Sequence, residues 1–275
     1  MLKPLQRFFL VQPRSQTSGN ISAPPDKAAA AICVQGLGKV FNSKKEAFPA
    51  LSDINFSVPQ GQLQMLVGPS GAGKTTLLLI IAGLLSPSSG QVWLMGSNLY
   101  TLSRLEREQF RLRNLGIMFQ EANLMNALTV AENLAVALAL KGIHGPANQD
   151  QVKDLLQKVG LTDWGNYLPH KLSGGQQQRA ALARAVAGQP KILIADEPTG
   201  ALDSVNGMKI MALIEELIQS VGCSVLMSTH DPRIVSYADR LIHIEDGCIK
   251  GGIDQEVKKG GIHSLDPPQQ DPQSS

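Results

Sequence analysis

Cysteine is scarce: Cys33, Cys223 and Cys248 are the only three in 275 residues. Odd in number, scattered and without metal-ligand spacing, they offer neither a disulfide framework nor a zinc site, and they suit a reduced, cytoplasmic compartment. Dense blocks of one charge are missing too. Lys44-Lys45 and Lys258-Lys259 are isolated pairs and the formal net charge is +2, so no nucleic-acid partner is expected. The longest apolar run, Leu77 to Leu85, has nine residues, against about 20 needed to cross a bilayer. The opening "MLKPLQRFFLVQPRS" has too short an apolar core for a signal peptide, and no small-residue cleavage site follows it. It reads as a flexible tail, with a membrane-surface contact as the alternative. There is no internal repeat. What remains is an ordinary globular composition, 43% hydrophobic and 17% charged. It suffices for one large α/β domain or at most two small ones.

Residues 1–30 and 251–275 are rich in Pro, Ser and Gln and are expected to be flexible tails. Between them, over 31–250, strands and helices alternate. "LSDINFSV" turns Ile54, Phe56 and Val58 to one side, as a half-buried strand does. "QLQMLVG", "QVWLMG", "LGIMFQ", "KILIAD", "CSVLMST" and "RLIHIEDG" read as further strands. Helices are expected over 75–84, 148–159 and 205–219, and capping boxes at Ser103/Glu106 and Thr129/Glu132 start two more. The pattern implies an α/β fold with a mostly parallel sheet, helices on both sides, and a smaller antiparallel sheet built from the early strands.

Gly68-Pro69-Ser70-Gly71-Ala72-Gly73-Lys74-Thr75, followed by Thr76, matches G-x-x-x-x-G-K-[ST]. It follows a predicted strand and opens a predicted helix. Its glycines let successive N–H groups point at anionic oxygens, and the helix N-terminus adds partial positive charge. Lys74 is placed to meet the β and γ phosphates of a nucleotide, and the Thr75 hydroxyl suits Mg²⁺, which prefers hard oxygen ligands. Asp196 and Glu197 end the buried strand "KILIAD", where ligands of open α/β sheets sit. Adjacent strand residues point oppositely. Asp196 is therefore assigned to Mg²⁺ through water and Glu197 to the attacking water.

Taken with "LSGGQQQR", which starts at Leu172, these motifs make the chain resemble the nucleotide-binding subunit of an ATP-binding-cassette (ABC) transporter over about residues 31 to 250. The motifs run in family order: Phe41, the phosphate loop, Gln120, Leu172-Ser173-Gly174-Gly175-Gln176, Asp196-Glu197, Ala201-Leu202-Asp203 and His230. "ADEPTGALDS", "LPHKLSGGQQQR" and "FQEANLMNALTVAENL" look most like the lipoprotein-releasing and macrolide-export (LolD/MacB-type) group. The sequence departs from that group in Gly-Ala within the phosphate loop, in Phe41 for a commoner Tyr, and in its two tails.

The resemblance implies a P-loop NTPase fold, a helical subdomain at about 121–185 that carries the signature loop, and ATP and Mg²⁺ as cofactors. It implies that Phe41 stacks on adenine, that Gln120 reaches Mg²⁺ or the attacking water, and that His230 contacts the γ-phosphate beside Glu197. By themselves, a strand-end Gln faces solvent and a Phe packs in a core, so these roles rest on the resemblance. Ser173 can act as an N-cap, while Gly174 and Gly175 leave backbone N–H groups uncovered, a second anion site. In the family that loop, with Gln176, closes on ATP held by a second copy of the chain, and Asp203 joins the shared site. Integral membrane permease subunits are the implied further partners, placing the chain on the inner face of the membrane. The implied activity is ATP hydrolysis coupled to export or extraction of a lipid-like or hydrophobic substrate; the alternative is a soluble ABC ATPase of repair, translation or iron–sulfur assembly. The segment 121–133 mixes polar Glu121, Asn123 and Asn126 with apolar Leu124, Met125 and Leu128. It is expected to carry the coupling, or else to cap its own sheet.

Overall fold

The computed structural model describes residues 30–42, 47–200 and 202–250. The two expected tails, both lysine pairs and Ala201 lie outside the described residues, except that Ala30, expected in the first tail, is buried at the start of a strand. Thirteen-residue strands β1 (Ala30–Asn42) and β2 (Ala47–Pro59) are followed by β3 (Leu63–Val67), α1 (Lys74–Ile81), β4 (Ser89–Leu94) and β5 (Ser97–Asn98). Next come α2 (Arg104–Asn114), β6 (Leu115–Met118), α3 (Val130–Leu140), α4 (Gly145–Lys158) and α5 (Gly174–Val186). The chain continues through β7 (Ile192–Asp196), α6 (Ser204–Val221), β8 (Ser224–Thr229), β9 (Arg240–Glu245) and β10 (Cys248–Lys250).

Two sheets result. One has the order β2-β1-β4-β5 and is antiparallel throughout. The other has the order β10-β9-β3-β8-β7-β6 and is parallel except for the β9–β10 hairpin at its edge. Ile54, Phe56 and Val58 are all buried, as their alternation required. β7 is buried on both faces, and its alternate residues enter different cores. Leu193 and Ala195 join Leu134, Ala181 and Ile214 of the helices. Ile192 and Ile194 join Leu77, Ile81 and the strands of the antiparallel sheet. Helices lie on both faces, as the alternation suggested. One face carries α3 to α6, and the other carries α1 backed by the antiparallel sheet.

The local signals hold at most boundaries. Ser103/Glu106 and Thr129/Glu132 form complete capping boxes on α2 and α3. α1 starts at Lys74 and ends at Ile81, shorter than the 75–84 reading, because Gly83 takes φ 68° and turns the chain. β1 escaped the sequence reading; its burial runs continuously over Ala30–Val34 instead of alternating. Both core sheet strands that end in motifs, β3 and β7, run in the same direction. Their carboxyl ends therefore lie at one edge of the sheet, and the site is built there.

Candidate functional site

The phosphate loop is held from behind by backbone. A Cβ at Gly68 would stand 2.0 Å from the carbonyl oxygen of Ile244, so no larger residue fits beside β9. Gly73, the N-cap of α1, takes φ 99°, which favours glycine, and its face is packed against the Ala50 carbonyl. No side chain caps α1, so its first N–H groups stay available for an anion. Lys74 is 6% exposed, and its ammonium donates to the carbonyls of Gly68 (2.8 Å) and Pro69 (2.9 Å). It is thus held over the loop it is to serve.

An open cleft of about 640 Å³ lies in front. The phosphate loop from Ser70 to Thr76 lines it together with Gln120, Glu197 and His230 and with Phe41, Phe48 and Ala50. The chain thus brings together residues from β1, β2, the phosphate loop, and the loops after β6, β7 and β8. Phe41 is 42% exposed, not in the core, and Lys39 Nζ lies 5.0 Å from its ring centroid. Phe48, 66% exposed, is a second aromatic in the cleft that sequence reading did not single out. Phe41 pairs with Phe48 across the β1–β2 register, a pairing that strand composition alone does not set.

Glu197 and His230 touch: His230 Nδ1 lies 3.0 Å from Glu197 Oε2. The expectation that Asp196 and Glu197 alternate along one strand needs correcting. β7 ends at Asp196, and Glu197 takes φ 46°, a left-handed conformation outside the strand. That turn aims the Glu197 carboxylate at His230, and the two acids diverge because the backbone reverses. Ser228, which sequence reading missed, serves both. Its Oγ donates to Asp196 Oδ1 (2.6 Å) and accepts from the Glu197 backbone N–H (3.0 Å). The parallel register of β7 and β8 sets Ser228 directly opposite Asp196.

Asp196 does not line the main cleft. It flanks a small cavity with Thr75, Met118 and Phe119 behind it. Thr75 borders both spaces, Gln120 borders the cleft and Asp196 borders the small cavity. Their donors are all oxygen, the chemistry Mg²⁺ takes. Among the described residues, no group of three or more His, Cys, Asp or Glu is placed to hold a metal.

The signature residues lie elsewhere. Ser173 caps α5 in a full capping box: its Oγ accepts from Gln176 N (3.3 Å), and Gln176 Oε1 accepts from Ser173 N (2.8 Å). Gly174 faces open space and Gly175 is packed on Asn206. None of the four lines the cleft of its own chain. Asp203 does not line it either; it caps α6 through Asn206, whose backbone and side-chain N–H groups hold its carboxyl below the usual range. The helix that the signature loop opens is nevertheless tied to the cleft. Gln178 Nε2 donates to the Gln120 carbonyl, and Arg184 donates to the carbonyls of Asn123 (2.6 Å) and Ala122 (3.1 Å).

A phosphate loop that opens a helix at the carboxyl edge of a parallel sheet, with an acid–histidine pair facing it, defines a P-loop ATPase. The chain belongs to the ABC transporter family, whose model matches residues 51–200. It is 40% identical over 220 residues to the putative hemin import ATP-binding protein HrtA of Staphylococcus haemolyticus, covering 80% of this chain and 99% of that one. It is 37% identical over 218 residues to the lipoprotein-releasing system ATP-binding protein LolD of Shewanella denitrificans, covering 79% and 94%. Its fold matches a dimeric post-hydrolysis state of the ATP-binding cassette MJ0796 bound to ADP and Pi, with a TM-score of 0.77 and 33% identity, over 82% of this chain and 99% of that chain.

Proposed function

We propose that this chain hydrolyses ATP as a two-copy sandwich and thereby drives a separate membrane permease. One observation supports the sandwich above the rest. The phosphate loop, Glu197 and His230 share a cleft, whereas Ser173–Gln176 lie outside it with Gly174 facing open space. In this reading the Gly68–Thr76 backbone and Lys74 hold the β and γ phosphates. Phe41 stacks on the adenine, with Phe48 beside it. Glu197 polarises the attacking water, and His230, 3.0 Å away, holds the γ-phosphate and the water in line. Mg²⁺, held by Thr75, Gln120 and Asp196, would neutralise charge on the phosphates. Ser173, Gly174, Gly175 and Gln176 of a second copy close over the same γ-phosphate, with Asp203 at the seam. Hydrolysis removes that contact, and the pair opens because the ligand no longer favours the closed state.

The coupling belongs to the segment after Gln120. Loss of the γ-phosphate moves Gln120, and the bonds from Gln178 and Arg184 carry that motion to α5. Asn133, buried in α3, pins the loop by bonding Met125 through both its backbone groups and by donating to Leu128 and Thr129 carbonyls. Glu121, Asn123, Met125 and Asn126 stay exposed to meet a partner, but Leu124 is 9% exposed and sits in the core. A test of coupling therefore uses Met125→Asp and leaves Leu124 intact.

Likeness to LolD supports a hydrophobic or lipid-like substrate moved by extraction or export. A soluble ATPase unconnected to transport is the second reading; both readings suit a chain in which no described helix is long and apolar enough to cross a membrane. Pull-down of the full chain from detergent-solubilised membranes distinguishes the two. Recovery of an integral membrane protein that Met125→Asp fails to capture, with basal ATPase intact, supports transport. Recovery of soluble partners alone supports the second reading.

A further inference from the structure

Three residues after His230 stands Arg233, which has no role in the site described above. We propose that Arg233 is a positioning residue. It straps the segment after His230 to the first turn of α6, and so joins the chain's own His230–Glu197 pair to its signature loop. The proposal rests on the roles given above to His230 and to Ser173–Gln176.

The strap is a run of specific bonds. Arg233 lies in the short 3-10 turn Pro232–Tyr237 that follows β8. Its Nε donates to both Asp231 carboxylate oxygens (2.8 and 3.1 Å), and its Nη2 donates to Oδ2 at 2.7 Å. Asp231 is itself anchored, since its N–H donates to Thr229 Oγ1 at 3.0 Å. His230 is therefore held between two tethered residues. Arg233 still has Nη1 free of that pair, and it donates to Ser204 Oγ, 29 residues away in the chain.

Ser204 opens α6. The residue before it, Asp203, accepts from Asn206 N (3.0 Å) and Asn206 Nδ2 (2.6 Å). Asn206 in turn abuts the signature loop: a Cβ at Gly175 would stand 2.8 Å from its Cγ. Contacts thus run from Gly175 through Asn206, the Asp203 cap, Ser204, Arg233 and Asp231 to His230 and Glu197. The loop that serves the partner's ATP and the pair that serves the chain's own ATP are linked within one chain.

The Arg233 side chain is 54% exposed and that of Asp231 11%, so the pair is partly screened by solvent and its contribution to stability is modest. Its geometry is more specific than its energy. Only a planar fork with several donors can bind Asp231 with two nitrogens and Ser204 with a third. A lysine retains the charge and one bond to Asp231 but cannot span both.

The test uses the full chain carrying Arg233→Ala, Arg233→Lys, Ser204→Ala or Ser204→Ala with Arg233→Ala, and His230→Ala as reference. Steady-state ATPase gives kcat, KM and the Hill coefficient; nucleotide titration gives affinity; thermal melting checks the fold. Both Arg233 variants should lower kcat by roughly 3- to 30-fold and bring the Hill coefficient toward 1, while affinity for ATP stays unchanged. Ser204→Ala should give part of that loss, and the double variant should add nothing to Arg233→Ala. Wild-type kcat and cooperativity in a folded Arg233→Ala would overturn the strap. So would a loss confined to KM, or full additivity in the double variant. If Arg233→Ala does not fold, Ser204→Ala decides alone, and unchanged turnover and cooperativity there overturn the strap. Loss of turnover in His230→Ala with normal Arg233→Ala leaves the site reading standing and removes only the strap. Normal turnover in His230→Ala removes both.

Discussion

The two glycine-rich loops each open a helix, and they treat its N-terminus in opposite ways. The phosphate loop leaves α1 without a side-chain cap, encloses it in a cleft and folds a buried lysine over it. The signature loop closes the start of α5 on itself with the Ser173/Gln176 capping box and turns Gly174 to open space. An anion site requires unpaired N–H groups and also a surrounding that keeps water out and charge in. The first loop has uncapped N–H groups and a lysine in an open cleft of its own chain. The second exposes only a small backbone patch, and in the proposed sandwich a second copy supplies the rest of its surroundings.

The comparison breaks most sharply at Lys74. Lys74→Ala should cut ATPase by at least about 10²-fold, the scale for losing a preorganised charge on a developing one, and should weaken nucleotide binding in a fluorescence titration. Near-normal turnover in that variant would mean that the loop does not grip phosphate. Glu197→Gln comes next. It should preserve binding, lower kcat by a factor of order 10² or more, and trap an ATP-dependent dimer in size-exclusion chromatography. Monomer alone at high concentration with ATP would argue against the sandwich.

Mixing sharpens the contrast between the loops. Lys74→Ala and Ser173→Arg should each be nearly inactive by themselves. If the two loops of a site come from opposite chains, random mixing at equal amounts restores about a quarter of wild-type sites, read as retained ATP and as turnover. A mixture no better than its parents would assign the signature loop to its own chain. The smallest effects separate two neighbouring glycines. Gly174→Ala meets nothing within 4 Å and should melt like wild type, so any loss of its ATPase reports on a partner's approach. Gly175→Ala presses on Asn206 and should cost about 1 kcal/mol or more in thermal or urea unfolding. Equal melting of the two variants would show that Asn206 yields freely.

Much of the fold could be read locally. The capping boxes at Ser103 and Thr129, the continuous burial of 192–195 and the alternation of Ile54, Phe56 and Val58 all depend on near neighbours, and all appear where their patterns lie. The site was legible as a set of residues because its phosphate loop is one contiguous segment whose chemistry needs those residue types. Its walls were not legible. Phe48 reaches the cleft through a β1–β2 register that passes several bulges, and Ser228 reaches Asp196 through a parallel pairing across 32 residues. Leu124 looked available to a partner, yet it is buried, because helices distant in sequence close over it.

By itself, then, the sequence determined most of the helices and strands, though not β1, the position of the phosphate-loop motif, and the family to which the chain belongs. Those properties rest on dihedral preferences, periodicity and short contiguous motifs, all of which act within a few residues. Tertiary structure alone decided that Glu197 turns out of its strand toward His230, that Ser228 holds both acids, and that Arg233 reaches Ser204. Each of those depends on strand order and register. They are settled by which faces are buried together across the whole core, and no local stretch of sequence contains that information.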